Sequence, residues 1–100
     1  MLVITKENFE QEVLQSKVPV MVDFYADWCG PCKMMAPVFE EIEREMPDVK
    51  FCKLNIDEQM ELARKYKVMT IPTFIAFQEG VELKRAVGAV GKSDIVGLLG

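Results

Sequence analysis

Histidine is absent from all 100 residues. That removes the commonest general base and the commonest metal ligand together, so cysteine-histidine nucleophilic catalysis is excluded. Cysteine is scarce, with three residues, and a tetrahedral zinc site built from them would need a carboxylate or a second chain. An odd count also opposes a secreted disulfide framework and suits a reducing compartment. No apolar run approaches the roughly 20 residues that span a bilayer. The opening Met1-Leu2-Val3-Ile4-Thr5-Lys6-Glu7 lacks the basic stretch, apolar core and small-residue cleavage site of a signal peptide, so cytoplasmic residence is expected. Positive charge is in deficit: 12 basic against 16 acidic residues leave a net charge of -4. With no basic run, neither nucleic acid nor a membrane is an expected partner.

Half of the residues are apolar, enough for one core, and a chain of this length is expected to form a single domain over residues 1–100. No repeat, linker or low-complexity tract divides it. Thr5 precedes an apolar stripe of Phe9, Val13 and Leu14, which predicts a first helix to about Ser16. Val18 to Ala26 is apolar on both faces and valine-rich, the signature of a central strand covered on both sides. Met35, Phe39, Ile42 and Met46 then repeat at helical spacing among Glu40, Glu41, Glu43 and Arg44, up to Pro47, with Pro37 inside the helix. Val49 to Ile56 predicts a second buried strand, followed by a helix from Asp57 or Glu58 through Tyr66. Two such units in succession imply parallel pairing. Thr73 to Phe77, a turn at Gln78-Glu79-Gly80 and Val81 to Val87 predict an antiparallel hairpin. The last segment, Lys92 to Gly100, carries Gly97 in its interior, and its helix is expected to be marginal.

Where the first strand gives way to the long helix stands Trp28-Cys29-Gly30-Pro31-Cys32. Residues i and i+3 on a helix face each other, with alpha carbons roughly 5 Å apart, inside the range a disulfide accepts. The pair can therefore close and open with little backbone movement. Cys29 sits before the first turn, where unsatisfied N–H groups and the positive end of the dipole favour an anion. Cys32 lies one turn deeper. Cys29 is thus assigned as the attacking thiolate and Cys32 as the resolving thiol. Pro31 suits the first turn, where a missing N–H is harmless, and Gly30 leaves the backbone beside Cys29 uncrowded.

Beyond this motif the chain carries Val22-Asp23-Phe24-Tyr25-Ala26, Cys32-Lys33 with Ala36-Pro37, Lys53-Leu54-Asn55-Ile56-Asp57, Ile71-Pro72-Thr73, and Gly80 and Gly88. With these motifs in this order over nearly the whole length, the sequence resembles the thioredoxin family. The resemblance implies an α/β architecture, the thioredoxin fold, with a central mixed five-stranded sheet flanked by four helices. It implies a protein-disulfide reductase and electron carrier. Such a protein needs no bound cofactor, since reducing equivalents come from NADPH through a thioredoxin reductase. Partners are then that reductase and disulfide-containing client proteins, approached by a monomer. Tyr25 departs from the pattern, standing where many members carry a second tryptophan. If the environment lowers a thiol pKa from about 8.5 to the family's own value of about 7, the thiolate fraction at pH 7 rises about 16-fold. Lost nucleophilicity returns roughly a factor of five of that, so redox poise benefits more than rate does.

Asp23 falls in a run that should be wholly buried, where an ionised carboxylate is disfavoured and its pKa rises. The resemblance implies that it lies behind Cys32 and accepts its proton, directly or through water, with Lys53 as its partner. The bland alternative is a structural ion pair. Chain chemistry predicts a trans bond before Pro72, whereas the resemblance implies cis, packed beside the dithiol, with the backbone of Ile71 free to pair with an extended client segment. Trp28, Gly30, Pro31, Ile71, Pro72, Gly88 and Ala89 would form a flat, mostly uncharged client-binding surface around Cys29. Cys52 should point away from Lys53 as a buried, inert hydrophobe, and the seven methionines are expected mostly to fill helices and core. Two other functions fit parts of the sequence: a binding module in which the dithiol is incidental, and an oxidase or isomerase. The Gly30-Pro31 dipeptide opposes the latter, since the resemblance associates it with reductants.

Overall fold

In a computed structural model describing all 100 residues, the strands are β1 (Leu2–Val3), β2 (Val20–Tyr25), β3 (Lys50–Asn55), β4 (Thr73–Gln78) and β5 (Val81–Val87). They form one sheet in the order β1-β3-β2-β4-β5. β3 runs parallel to β1 and β2, while β4 is antiparallel to β2 and β5, so the expected mixed sheet is present. The helical segments are a π-helical stretch (Glu10–Leu14), α1 (Gly30–Glu45), α2 (Met60–Lys65) and α3 (Lys92–Val96), which passes into a 3-10 turn at Gly97–Leu99. None is long and apolar enough to cross a membrane.

Alternation along β2 divides the core. Val20, Val22 and Phe24 pack with Phe9, Val13, Leu54, Cys52, Ile75 and Phe77 on one face. Met21 meets Phe39, Ile42, Phe51 and Phe74 on the face covered by α1 and α3. Asp23 belongs to the second face by its odd position, and Lys53 lies opposite it in the β2–β3 register. Cys52 points the other way into the first cluster, as its alternation with Lys53 predicts.

Several boundaries move for identifiable reasons. β2 begins at Val20 rather than Val18, because Pro19 has no N–H and the Ser16 hydroxyl donates to Val18 O, making a turn there. The first helix does not use Thr5 as a side-chain cap. Instead the Asn8 side-chain oxygen accepts the Thr5 N–H at 2.8 Å, and a Gln15 N–H to Glu10 O bond of 2.9 Å widens the final turns. α2 starts at Met60 rather than near Asp57. The Asn55 side-chain oxygen accepts the N–H groups of Asp57 and Glu58, holding a turn before the helix. Methionine also departs from its expected role: Met21 and Met35 are core, yet Met34, Met60 and Met69 are exposed.

The final helix is short, as its glycines predict. The Asp94 carboxylate accepts the Gly91 N–H at 3.0 Å at its start. Lys92 bridges Glu41 and Glu45 of α1, and Ile95 and Leu98 are buried. Burying such a side chain contributes about 1.5–3 kcal/mol, so packing rather than helix propensity holds the segment.

The hairpin turns through two residues, Glu79 and Gly80, with φ of 53° and 80°, the left-handed pair that a type I′ connection requires. A Cβ on Gly80 would also lie 3.0 Å from Leu14 O. Gly80→Ala is therefore expected to lower stability by about 1–2 kcal/mol, measured by urea unfolding; an unchanged midpoint would show that the turn and the π-helical stretch yield without penalty.

Candidate redox-active dithiol site

Cys29 stands four residues past the end of β2 and is the N-cap of α1. Its backbone is extended, with φ -88° and ψ 110°, and its sulfur accepts the Cys32 N–H at 3.2 Å, so the side chain caps the helix. The local sequence explains the geometry: Pro31 occupies the first turn, and Gly30 presents open space where a Cβ would meet nothing within 4 Å. Cys29 and Cys32 are disulfide-bonded, with alpha carbons 5.3 Å apart.

One expectation is corrected here. Both cysteines are 4% exposed, so in the disulfide form Cys29 is no more accessible than Cys32. The difference lies in what each faces. The Cys29 sulfur is 3.8 Å from Ile71 O. Cys32 instead lines a cavity of about 450 Å³ that also contains Asp23, Lys53 and Tyr25.

Asp23 is buried, and its Oδ1 has no hydrogen-bond partner. Burial pushes its carboxyl up to about 7, against the opposing pull of the Lys53 ammonium. Lys53 is not bonded to it: no ion pair joins them, and the Lys53 Nζ lies 5.9 Å from the centre of the Tyr25 ring. Lys53 acts on Asp23 as a neighbouring charge across the strand pair. The cavity gives Asp23 and Cys32 a shared space in which water can link them.

The Ile71–Pro72 bond is cis, as the family resemblance implies and against the trans bond that chain chemistry alone predicts. Pro72 is buried, so it lies beneath the surface around Cys29 rather than forming part of it as expected. Its carbonyl accepts the Gly88 N–H at 2.8 Å. Gly88 has φ 91°, a conformation that calls for glycine whether or not a client approaches. Ile71 packs against the cluster of Ala26, Cys29 and Cys32, while Gly30, Pro31 and Ala89 are exposed. Trp28 is 68% exposed, and its indole N–H donates to Asp57 Oδ2 at 2.8 Å.

Sequence reasoning missed Asp57 as the anchor of Trp28. Asn55, which bonds the N–H groups after it and reaches Asp27 at 3.5 Å, was also missed. The signal was present in Asn55-Ile56-Asp57, but nothing in the chain says that a residue 29 positions away supplies the indole. Cys52 is fully buried, and burial drives its thiol up to about 12, which leaves it inert as a nucleophile. No three His, Cys, Asp or Glu side chains gather into a metal-ligating cluster.

With this geometry in place, comparison with known proteins becomes specific. The thioredoxin family model matches residues 1–99. The thioredoxin of Mycobacterium tuberculosis is 49% identical over 94 residues, covering 93% of this chain and 81% of its own. Thioredoxin 1 of Synechococcus elongatus is 45% identical over 97 residues, 96% and 91% of the two chains. A bifunctional thioredoxin reductase/thioredoxin of Mycobacterium leprae is 49% identical over 94 residues, 93% of this chain and 20% of that protein.

The raised Asp23 pKa fixes a pH dependence of stability. An unfolded chain releases this proton near 3.8 and the folded protein near 7, so between those values the native state holds the additional proton and rising pH removes stability. Over the whole window the loss is on the order of 4 kcal/mol. Asp23→Asn, tested in the oxidised form, should gain on the parent from about pH 4 to pH 7 and level off above. Urea unfolding at successive pH values measures this; a gap independent of pH would mean that Asp23 ionises normally.

Proposed function

The chain belongs to the thioredoxin family, and from that premise we propose that Cys29 and Cys32 divide the labour of protein-disulfide reduction, with Asp23 handling the proton. Thiol-disulfide exchange is the family's reaction, and it needs no prosthetic group because the two electrons reside in the dithiol itself.

The Cys29 thiolate, stabilised at the N-terminus of α1 by the Cys32 N–H, attacks one sulfur of a client disulfide. A bond forms from Cys29 to that sulfur, the client S–S bond breaks, and the other client sulfur leaves as a thiolate that takes up a proton. The Cys32 thiol then passes its proton toward the Asp23 carboxylate through the shared cavity and attacks Cys29. The Cys29–Cys32 disulfide forms as the Cys29–client S–S bond breaks, the departing client sulfur takes up a proton, and the client leaves with both sulfurs reduced. A carboxyl titrating near 7 can take a proton and give it up at neutral pH, the poise general base catalysis favours. Lys53 tunes that carboxyl through its field.

The observation that carries this reading is the division of surroundings: Cys29 at the helix cap beside Ile71 O, and Cys32 in the cavity with Asp23. Clients pair with the backbone at Ile71 and rest on Trp28, Gly30, Pro31, Gly88 and Ala89. A thioredoxin reductase fed by NADPH restores the dithiol, and the protein works as a monomeric single domain in the cytoplasm, where a reducing poise favours the dithiol.

Two outcomes test the assignment. Cys32→Ser should accumulate a client cross-linked through Cys29, seen by mass spectrometry, whereas Cys29→Ser should form no cross-link and reduce nothing; linkage through Cys52 would overturn the scheme. Asp23→Asn should slow turnover at least about tenfold and abolish an inflection near pH 7 in the rate profile of the parent. Unchanged turnover from about pH 6 to pH 9 would remove Asp23 from the mechanism.

A further inference from the structure

Tyr25 is the last residue of β2 and has no part in the exchange chemistry, yet it faces that chemistry. It lines the cavity that holds Asp23, Cys32 and Lys53, and it packs against the cluster of Ala26, Cys29 and Cys32. Side chains two apart on a strand share a face, so Tyr25 stands beside Asp23. Across the parallel pair, Asp23 is in register with Lys53 and Tyr25 with Asn55. Lys53 therefore has the carboxylate directly opposite and the phenol ring one step along the diagonal, both within reach of a flexible four-carbon stem.

The ammonium takes the ring. Lys53 Nζ lies 5.9 Å from the Tyr25 centroid, inside the roughly 6 Å over which a ring face attracts a cation, and no ion pair joins it to Asp23. Solvation explains the choice. Asp23 is buried whereas Lys53 and Tyr25 are half-buried, so an ammonium drawn against the carboxylate would lose water that it keeps over the ring. The ring is also a durable partner: burial and the Asp27 carboxylate push the phenol pKa up, so Tyr25 stays neutral at physiological pH.

No other charge takes the place of Lys53 at the carboxyl. β4 sets the apolar Phe74 opposite Asp23. From α1 the cavity receives Cys32, Lys33, Glu40, Glu43 and Arg44, and from the loop before it Asp27. The terminal amine of Met1 pairs with Glu43 at 3.8 Å at the edge of the same cavity. Of all these groups Lys53 is the one whose charge acts on the Asp23 carboxyl, against the effect of burial. An opposite charge in contact lowers a carboxyl pKa by about 1–3 units, which would leave Asp23 ionised well below neutrality and a weak acceptor for a thiol proton.

We propose that Tyr25 is a positioning residue: its ring face holds the Lys53 ammonium off the Asp23 carboxylate, so that Lys53 does not close an ion pair with the group that receives the Cys32 proton. The inference rests on the reading of Asp23 as that proton acceptor.

The test follows the Asp23 carboxyl across pH by carbon-13 NMR of aspartate-labelled protein in the oxidised form, where neither active-site thiol titrates. Tyr25→Leu should lower the Asp23 midpoint by at least about one pH unit, while Tyr25→Phe, which keeps a ring face, should hold the parental midpoint. Water entering beside a smaller side chain would also lower it, but without any need of Lys53. Placed on Lys53→Met, Tyr25→Leu should therefore leave the midpoint where Lys53→Met alone puts it. In the unaltered protein, the ε-methylene protons of Lys53 should resonate upfield of those of the exposed Lys17, shielded by the ring beneath them. An unmoved midpoint in Tyr25→Leu, a drop that persists without Lys53, a Tyr25→Phe midpoint equal to that of Tyr25→Leu, or unshielded Lys53 protons would overturn the inference. Rate profiles of client reduction by the same variants separate it from the reading beneath it: an inflection that stays in place while the Asp23 midpoint falls strikes Asp23 as proton acceptor and leaves Lys53 positioned by the ring.

Discussion

The sulfur of Cys29 in the capping position of α1 is the contact on which the rest of the site depends. An N-cap side chain is ordinarily an oxygen that accepts an orphan N–H. Here a sulfur accepts the Cys32 N–H, so the helix that places the second thiol one turn away also stabilises negative charge on the first. The same exchange of roles applies in the disulfide, where the cap persists without a thiolate. Structure and reactivity therefore use one geometry, and the dithiol can cycle without the fold being rebuilt.

That junction is held from below by β2. This strand, buried on both faces, leads into Ala26, which packs against Cys29 and Cys32, yet it also carries Asp23 on the α1 side. A carboxyl there has no hydrogen-bond partner for Oδ1, which would weaken an ordinary core. It is tolerated because a cavity opens beside it and because Lys53 lies opposite in register. The carboxyl lowers stability at neutral pH, and in the proposed scheme it serves as the proton acceptor for Cys32.

Much of this could be read from the residues. The spacing of Met35, Phe39 and Ile42 and the alternation of Cys52 with Lys53 follow from a fixed backbone period and are found in place, and the two buried faces expected over Val18 to Ala26 are found from Val20 onward. Boundaries were less legible, because they depend on single hydrogen bonds: Asn8 to Thr5 at the first helix, and Asn55 to the N–H groups after it. The methionines were misread for a related reason. Met60 sits in a helix too short for its period to be read, Met69 lies outside any helix, and Met34 takes the outer face of α1 beside the buried Met35.

The chain by itself determined the pairing of two thiols across one helical turn, the anomaly of a carboxylate in an apolar strand, and the order of parallel and antiparallel units, since all three rest on local spacing. Only the tertiary structure decided that both cysteines are equally covered, that Lys53 stands over the Tyr25 ring with no ion pair to Asp23, and that Asp57 anchors Trp28. These are contacts between segments far apart in the chain, whose distances are set by how the sheet and helices pack and by nothing that neighbouring residues encode.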